Sequence, residues 1–129
     1  MIDNLNRRVL VVDDQPIIAE LWALYMELLG LEVCGRAATA DHAIQLAQDH
    51  QPAVVLMDMR LEGQKDGVDA ALAIHATVGS KVIFITASQE AATLERIESD
   101  HPAAVLIKPV TQQVVQDTVL KVISDSAVG

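Results

Sequence analysis

The sequence predicts an α/β fold, a doubly wound parallel sheet with helices on both faces. Three observations carry this. Short apolar runs alternate with longer amphipathic stretches along the 129 residues, the pattern of repeated βα units. The short runs lack polar alternation, so the strands they form must be covered on both sides, as parallel strands are. The apolar residues are Val, Ile, Leu and Ala, with Trp22, Tyr25 and Phe84 the only aromatics, which suits β-branched strands and Ala/Leu-rich helices.

Taken in order, Val9 to Val12 form the first apolar run, closed by Asp13 and Asp14. Pro16 suits the first turn of a helix, where its missing N–H costs nothing. Apolar residues then recur at Ile17, Leu21, Trp22, Leu24, Tyr25, Leu28 and Leu29, and Gly30 is a natural stop. Leu31 to Arg36 read as a weaker strand containing Cys34, a small core residue rather than a reactive thiol. Thr39 or Asp41 caps a second helix whose apolar face is Ala43, Ile44, Leu46 and Ala47. After Pro52, Ala53 to Met57 give an apolar strand closed by Asp58, and the polar stretch from Arg60 to Gly67 is a loop. A third helix turns Val68, Ala71, Leu72 and Ile74 inward. Val82 to Ile85 make the fourth strand, ended by Thr86, and Ala91 to Ile97 a weaker helix. Ala104 to Ile107 make the fifth strand, ended by Lys108 and Pro109, and Val114 to Ile123 supply the last helix. With no linker, repeat or low-complexity tract, residues 1–129 are expected to be one domain with its core within 7–125.

Bulk properties narrow the function. A net charge of -9 repels phosphate backbones and anionic membrane surfaces alike, so no nucleic acid is expected to bind this chain alone. One cysteine excludes an intramolecular disulfide and a cysteine-cluster metal site. The N-terminal MIDNLNRR has no apolar signal region, and runs such as Leu21 to Met26 are far too short to span a bilayer. A cytoplasmic location is the expectation. His42, His50, His75 and His101 lack metal spacing and read as surface or capping residues.

The informative polar residues interrupt the apolar pattern at strand ends: Asp13 and Asp14, Asp58, Thr86 and Lys108. In a parallel α/β sheet all such ends lie on one edge, where ligands bind. Three carboxylates gathered there repel one another, so one is protonated or a divalent cation neutralises them. Oxygen donors without His or Cys favour a hard ion, and few protein ligands favour Mg2+. One carboxylate can then act as a nucleophile toward phosphorus. The phosphoryl oxygens find partners in the metal, the Lys108 ammonium, and the Thr86 hydroxyl with the Ala87 backbone N–H.

Val9-Leu10-Val11-Val12-Asp13-Asp14, the strand ending in Asp58, Asp66-Gly67, Thr86-Ala87 and Lys108-Pro109 together resemble the signature of response regulator receiver domains. The resemblance covers nearly the whole chain, with the motifs in family order. It implies a flavodoxin-like, CheY-like sheet of five strands in the order 2-1-3-4-5, for which this family is a standard example. It implies that Asp58 is the phosphoacceptor and that Asp13, Asp14, Asp58 and the backbone carbonyl of Arg60 hold Mg2+. Thr86 then matches the hydroxyl that moves toward the phosphoryl group, Lys108 its ion partner, and Pro109 the proline whose preceding bond is usually cis. Arg60 and Ser88, each two residues past a site residue, are expected to tune the access of hydrolytic water. The chain departs from many relatives at Val105, where they carry an aromatic, at Val110, where Phe is commoner, and in the loop after Asp58, which lacks the usual proline.

The resemblance further implies a stand-alone switch of a two-component system or phosphorelay, not a metabolic enzyme. Its phosphate would come from a sensor histidine kinase or phosphotransfer protein. The fourth helix, fifth strand and fifth helix would then bind a downstream protein or a second copy, or the chain would drain phosphate from a shared kinase. Val105 motivates an alternative, a constitutive protein-binding module whose output ignores phosphorylation. An aspartyl-phosphate hydrolase is a weaker rival, because it places a second Asp where this chain has Arg60.

Overall fold

A computed structural model of the chain describes residues 6–128, with side chains placed through residue 125. Residues 1–5, part of the segment read as lacking a signal region, lie outside the described residues. The elements alternate as β1 (Arg8–Val12), α1 (Pro16–Leu28), β2 (Glu32–Ala37), α2 (Ala40–His50), β3 (Val54–Met57), α3 (Gly67–Thr77), β4 (Lys81–Thr86), α4 (Ala91–Glu98), β5 (Ala104–Ile107) and α5 (Gln112–Val128). The five strands form one sheet in the order β2-β1-β3-β4-β5, every neighbouring pair parallel. That is the expected doubly wound fold.

Successive residues of a strand point to opposite faces, and here each face has its own core. Leu10, Val12, Val55, Met57 and Phe84 meet Ala43 and Ala47 of α2, Ala71 and Ile74 of α3 and Ile97 of α4. Val9, Val11, Val54, Leu56, Ile83 and Ile85 meet Ala19, Trp22 and Met26 of α1 and Val115 and Val119 of α5. Each fully buried Val, Leu or Ile contributes roughly 1.5–3 kcal/mol, so the central strands anchor the domain.

Local sequence sets the boundaries. Pro16 opens α1, and Gly30, at φ 80°, turns the chain out of it. Thr39, not Asp41, is the N-cap of α2, its side chain accepting from the His42 backbone N–H at 3.1 Å. Asp66 caps α3 in a reciprocal box: its carboxylate accepts from the N–H groups of Val68 and Asp69, and the Asp69 carboxylate accepts from the N–H of Asp66.

Two expectations need correction. Burial of every strand on both faces holds for β1, β3 and β4, while all of β5 is only partly buried and every residue of β2 but Ala37 is partly buried or exposed. They are the edges of the sheet, with a neighbour on one side only. The second concerns helix faces. α1 buries Ala19, Trp22, Ala23 and Met26, leaving Ile17, Leu21, Leu24 and Leu28 exposed. Leu72 of α3 is likewise exposed. In α1 the buried face is thus Ala19, Ala23, Trp22 and Met26, and the leucines beside it turn outward.

Candidate functional site

Parallel pairing brings the polar strand ends to one rim. The backbone N–H of Asp58 donates to the Val12 carbonyl at 2.9 Å, continuing the β1–β3 ladder past the end of the strands. The backbone N–H of Lys108 donates to the Thr86 carbonyl at 2.8 Å, doing the same for β4 and β5. The Lys108–Pro109 peptide bond is cis, as expected.

Carboxylate oxygens of Asp13, Asp14 and Asp58 lie within 4.8 Å of one another. Asp13 is buried and Asp58 only 9% exposed. Oδ1 of Asp13 accepts from the Gln15 backbone N–H at 2.9 Å. Its Oδ2 is buried without a hydrogen-bond partner, while the Lys108 ammonium stands 3.5 Å from it and 3.9 Å from Asp58 Oδ1. Apart from that ammonium the oxygen has no donor, and a buried carboxylate oxygen without a hydrogen bond is a position that suits a bound cation.

Burial is the main reason the Asp58 carboxyl is pushed up from 3.8 to about 6, and the neighbouring Asp13 adds to it. The Lys108 charge opposes the shift, Asp14 raises it further, and a hydrogen bond from the Arg60 backbone N–H lowers it. Repulsion therefore exceeds attraction within the protein's own groups. Oxygen-only donors around this excess of negative charge suit a hard divalent ion, and the residues fit one.

Thr86 is 2% exposed, and its hydroxyl oxygen accepts from the Ser88 backbone N–H at 3.1 Å. This is the backbone-satisfying role that a lone threonine would have, and it also fixes the hydroxyl at the rim. Ala87 follows on the exposed loop, and the Arg60 side chain is exposed. Among the described residues, no other group of three His, Cys, Asp or Glu lies close enough to share a metal ion. The scattered histidines stay outside the site. His75 pairs with Asp100 at 3.1 Å, and His42, His50 and His101 are exposed.

Sequence reasoning noticed Asp66 and Gly67 as a motif but not what they do. A Cβ on Gly67 would stand 2.1 Å from the Asp58 carbonyl oxygen, closer than any side chain tolerates. The Gly67 N–H donates to the Met59 carbonyl at 2.8 Å. The start of α3 thus rests directly on the Asp58 backbone. A glycine in the first turn of a helix is a poor helix former, and that was the available signal. Arg96 of α4, which pairs with both Asp66 and Asp69, gave none, because a single arginine on a polar helix face reads as solvated.

Comparison with known proteins agrees with this geometry. The family model described as response regulator receiver domain matches residues 9–120. The chain is similar to the transcriptional regulatory protein PdtaR of Mycobacterium tuberculosis, 32% identical over 103 residues, which are 80% of this chain and 50% of that protein. The chain therefore spans half the length of that relative. Among solved structures it resembles the signal receiver domain of a modulated diguanylate cyclase from Desulfovibrio desulfuricans G20, with a TM-score of 0.88, 30% identity, and 97% and 98% of the two chains covered. It also resembles the signal receiver domain of the putative response regulator NarL from Mycobacterium tuberculosis, with a TM-score of 0.84, 30% identity, and 93% and 98% covered.

Proposed function

The chain belongs to the family of response regulator receiver domains, and on that premise we propose that it is a phosphorylation switch carrying its phosphoryl group on Asp58. One observation carries the reading: three carboxylates within 4.8 Å of one another, one oxygen buried without a hydrogen bond, beside a lysine ammonium. Asp13, Asp14, Asp58 and the backbone carbonyl of Arg60 would hold Mg2+, which when bound neutralises the cluster and draws charge from a phosphoryl oxygen.

The rest falls to the chain's own groups. With a carboxyl that ionises near pH 6, Asp58 is an anion at neutral pH and can attack phosphorus. Its oxygen forms the new O–P bond as the bond from phosphorus to the donor's leaving atom breaks, and that atom departs with the electron pair. Lys108 sits where a phosphoryl oxygen would otherwise crowd the Asp13 and Asp58 carboxylates. The Thr86 hydroxyl, released from the Ser88 N–H, and the Ala87 N–H offer the remaining hydrogen bonds. Arg60 and Ser88 stand at the mouth, where they bear on the entry of water.

The donor is a sensor histidine kinase or a phosphotransfer protein. Ile17, Leu21, Leu24 and Leu28 support this: they recur at helical spacing on the outer side of α1, whose first residue lies two after Asp14. An apolar stripe beside an acidic mouth is a landing place for a helix that presents a phosphorylated side chain. Output passes through α4, β5 and α5. Ile97 is the one buried residue of α4, and β5 is an edge strand. Such elements can shift without opening the core.

Incubation with Mg2+ and acetyl phosphate tests the reading. Stoichiometric, acid-stable and hydroxylamine-sensitive label is expected, abolished by a chelator and by Asp58→Asn. Label that survives Asp58→Asn, or none on the unsubstituted chain, overturns it.

A further inference from the structure

The site described above is connected to α4 by a set of contacts that the phosphorylation chemistry does not use. Arg96, on α4, sends one guanidinium nitrogen to the Asp66 carboxylate and the other to Asp69 at 3.1 Å. These are the two residues that cap α3 reciprocally, so the guanidinium closes the capping box from outside. Beneath them Gly67 lies against the carbonyl of Asp58, with no room for a Cβ and no side chain between the two backbones. The Gly67 N–H is bonded to the Met59 carbonyl.

The path from Asp58 to α4 is therefore short. It runs from the Asp58 backbone to the Gly67 backbone, through the Asp66–Asp69 cap, to the Arg96 guanidinium. The backbone half of the path has no side-chain torsion to absorb a displacement, and the part-exposed guanidinium then bridges both capping carboxylates. The rest of α4 is lightly held. It is 8 residues long, its N-cap Glu90 makes no side-chain cap, and Ile97 is its one buried residue. Leu94 adds a partly buried contact with the same core as Ile97, and the Arg96 pairs are the side-chain hydrogen bonds that tie α4 to the start of α3 among the described residues.

We propose that Arg96 is a positioning residue that couples the placement of α4 to the backbone of Asp58. The proposal rests on the phosphoacceptor reading of Asp58 and adds the route by which that site reaches the output face. Arg96 touches no reacting atom; it acts through Asp66, Asp69 and Gly67.

The test compares the full chain with its Arg96→Ala, Arg96→Lys and Asp69→Asn variants. Each is treated with Mg2+ and beryllofluoride, a phosphoryl mimic, and amide hydrogen exchange is followed across 91–98. In the unsubstituted chain the mimic is expected to change the exchange of the α4 amides. In Arg96→Ala the mimic still binds, but α4 exchanges fast and equally with and without it. Asp69→Asn, which keeps a cap acceptor and removes a charge, shows the same loss more weakly. Arg96→Lys restores part of the response, because an ammonium reaches one carboxylate where the guanidinium reaches two.

Coupling is reciprocal, so affinity for the mimic also changes in Arg96→Ala, by about two- to fivefold for partly exposed ion pairs. An α4 response as large in Arg96→Ala as in the unsubstituted chain, or no α4 response in either, overturns the coupling while leaving the phosphoacceptor intact. Failure of the unsubstituted chain to bind the mimic overturns the phosphoacceptor reading instead.

Discussion

Replacing Asp58 with Asn removes one of three crowded carboxylates while keeping the shape of the side chain, and it is expected to make the metal-free protein more stable. The magnitude follows from the carboxyl's displacement from 3.8 to about 6, about two units. At about 1.4 kcal/mol per unit the ceiling is about 3 kcal/mol. The sign is set by where the two states ionise. Below pH 3.8 the carboxyl is neutral folded and unfolded, and Asp58 carries no penalty. From pH 3.8 to about 6 the unfolded chain ionises while burial and Asp13 hold the proton on the folded carboxyl, so a penalty builds and is complete above about 6. The Asn variant has no such transition. Its advantage should therefore be near zero at pH 4, grow through pH 6 and level off by pH 7.5. Urea unfolding in the presence of a chelator, repeated from pH 4 to 8, reads this directly; by melting temperature the gain is roughly 4 °C per kcal/mol for a chain of this size. Adding Mg2+ should stabilise the unsubstituted chain more than the variant. An Asn variant that is less stable at pH 7.5, or a difference that does not vary with pH, refutes the reasoning.

Other substitutions probe separate contacts. Gly67→Ala forces the new Cβ against the Asp58 carbonyl, so a loss of about 1–3 kcal/mol in unfolding free energy is expected with slower labelling by acetyl phosphate; wild-type values of both count against a hard backbone contact. Lys108→Ala leaves the Asp13 and Asp58 carboxylates without their cation, and labelling at neutral pH should slow by about a hundredfold; a rate within threefold of the original would remove lysine from the site. Ser80→Ala strands the Pro52 carbonyl, which accepts from the buried Ser80 hydroxyl at 2.7 Å, at a cost of about 1–3 kcal/mol with labelling unchanged.

Much of the molecule could be read from its residues because its strands are short, apolar and β-branched. β5 was read to the residue, and β1, β3 and β4 to within a residue at either end. The strand-end rule gathered Asp13, Asp14, Asp58 and Lys108 correctly, since parallel pairing leaves their backbone nowhere else to go. Helix faces were less legible. In α1 both sides carry apolar residues, so periodicity could not say that Ala19, Ala23 and Met26 face the sheet and Leu21, Leu24 and Leu28 do not. The weaker strand β2 and the fifth strand β5 could be recognised, but their exposure as edges follows from strand order, which pattern alone does not contain. The Arg96 contacts depend on the angle between α3 and α4, which no local signal encodes.

The rim residues come from the ends of four strands, β1, β3, β4 and β5, or from the turns just beyond them. Lys108, whose ammonium stands against the Asp13 and Asp58 carboxylates, follows β5, the last strand in the chain, so the acidic cluster precedes in sequence the cation that faces it and only the complete sheet brings the two together.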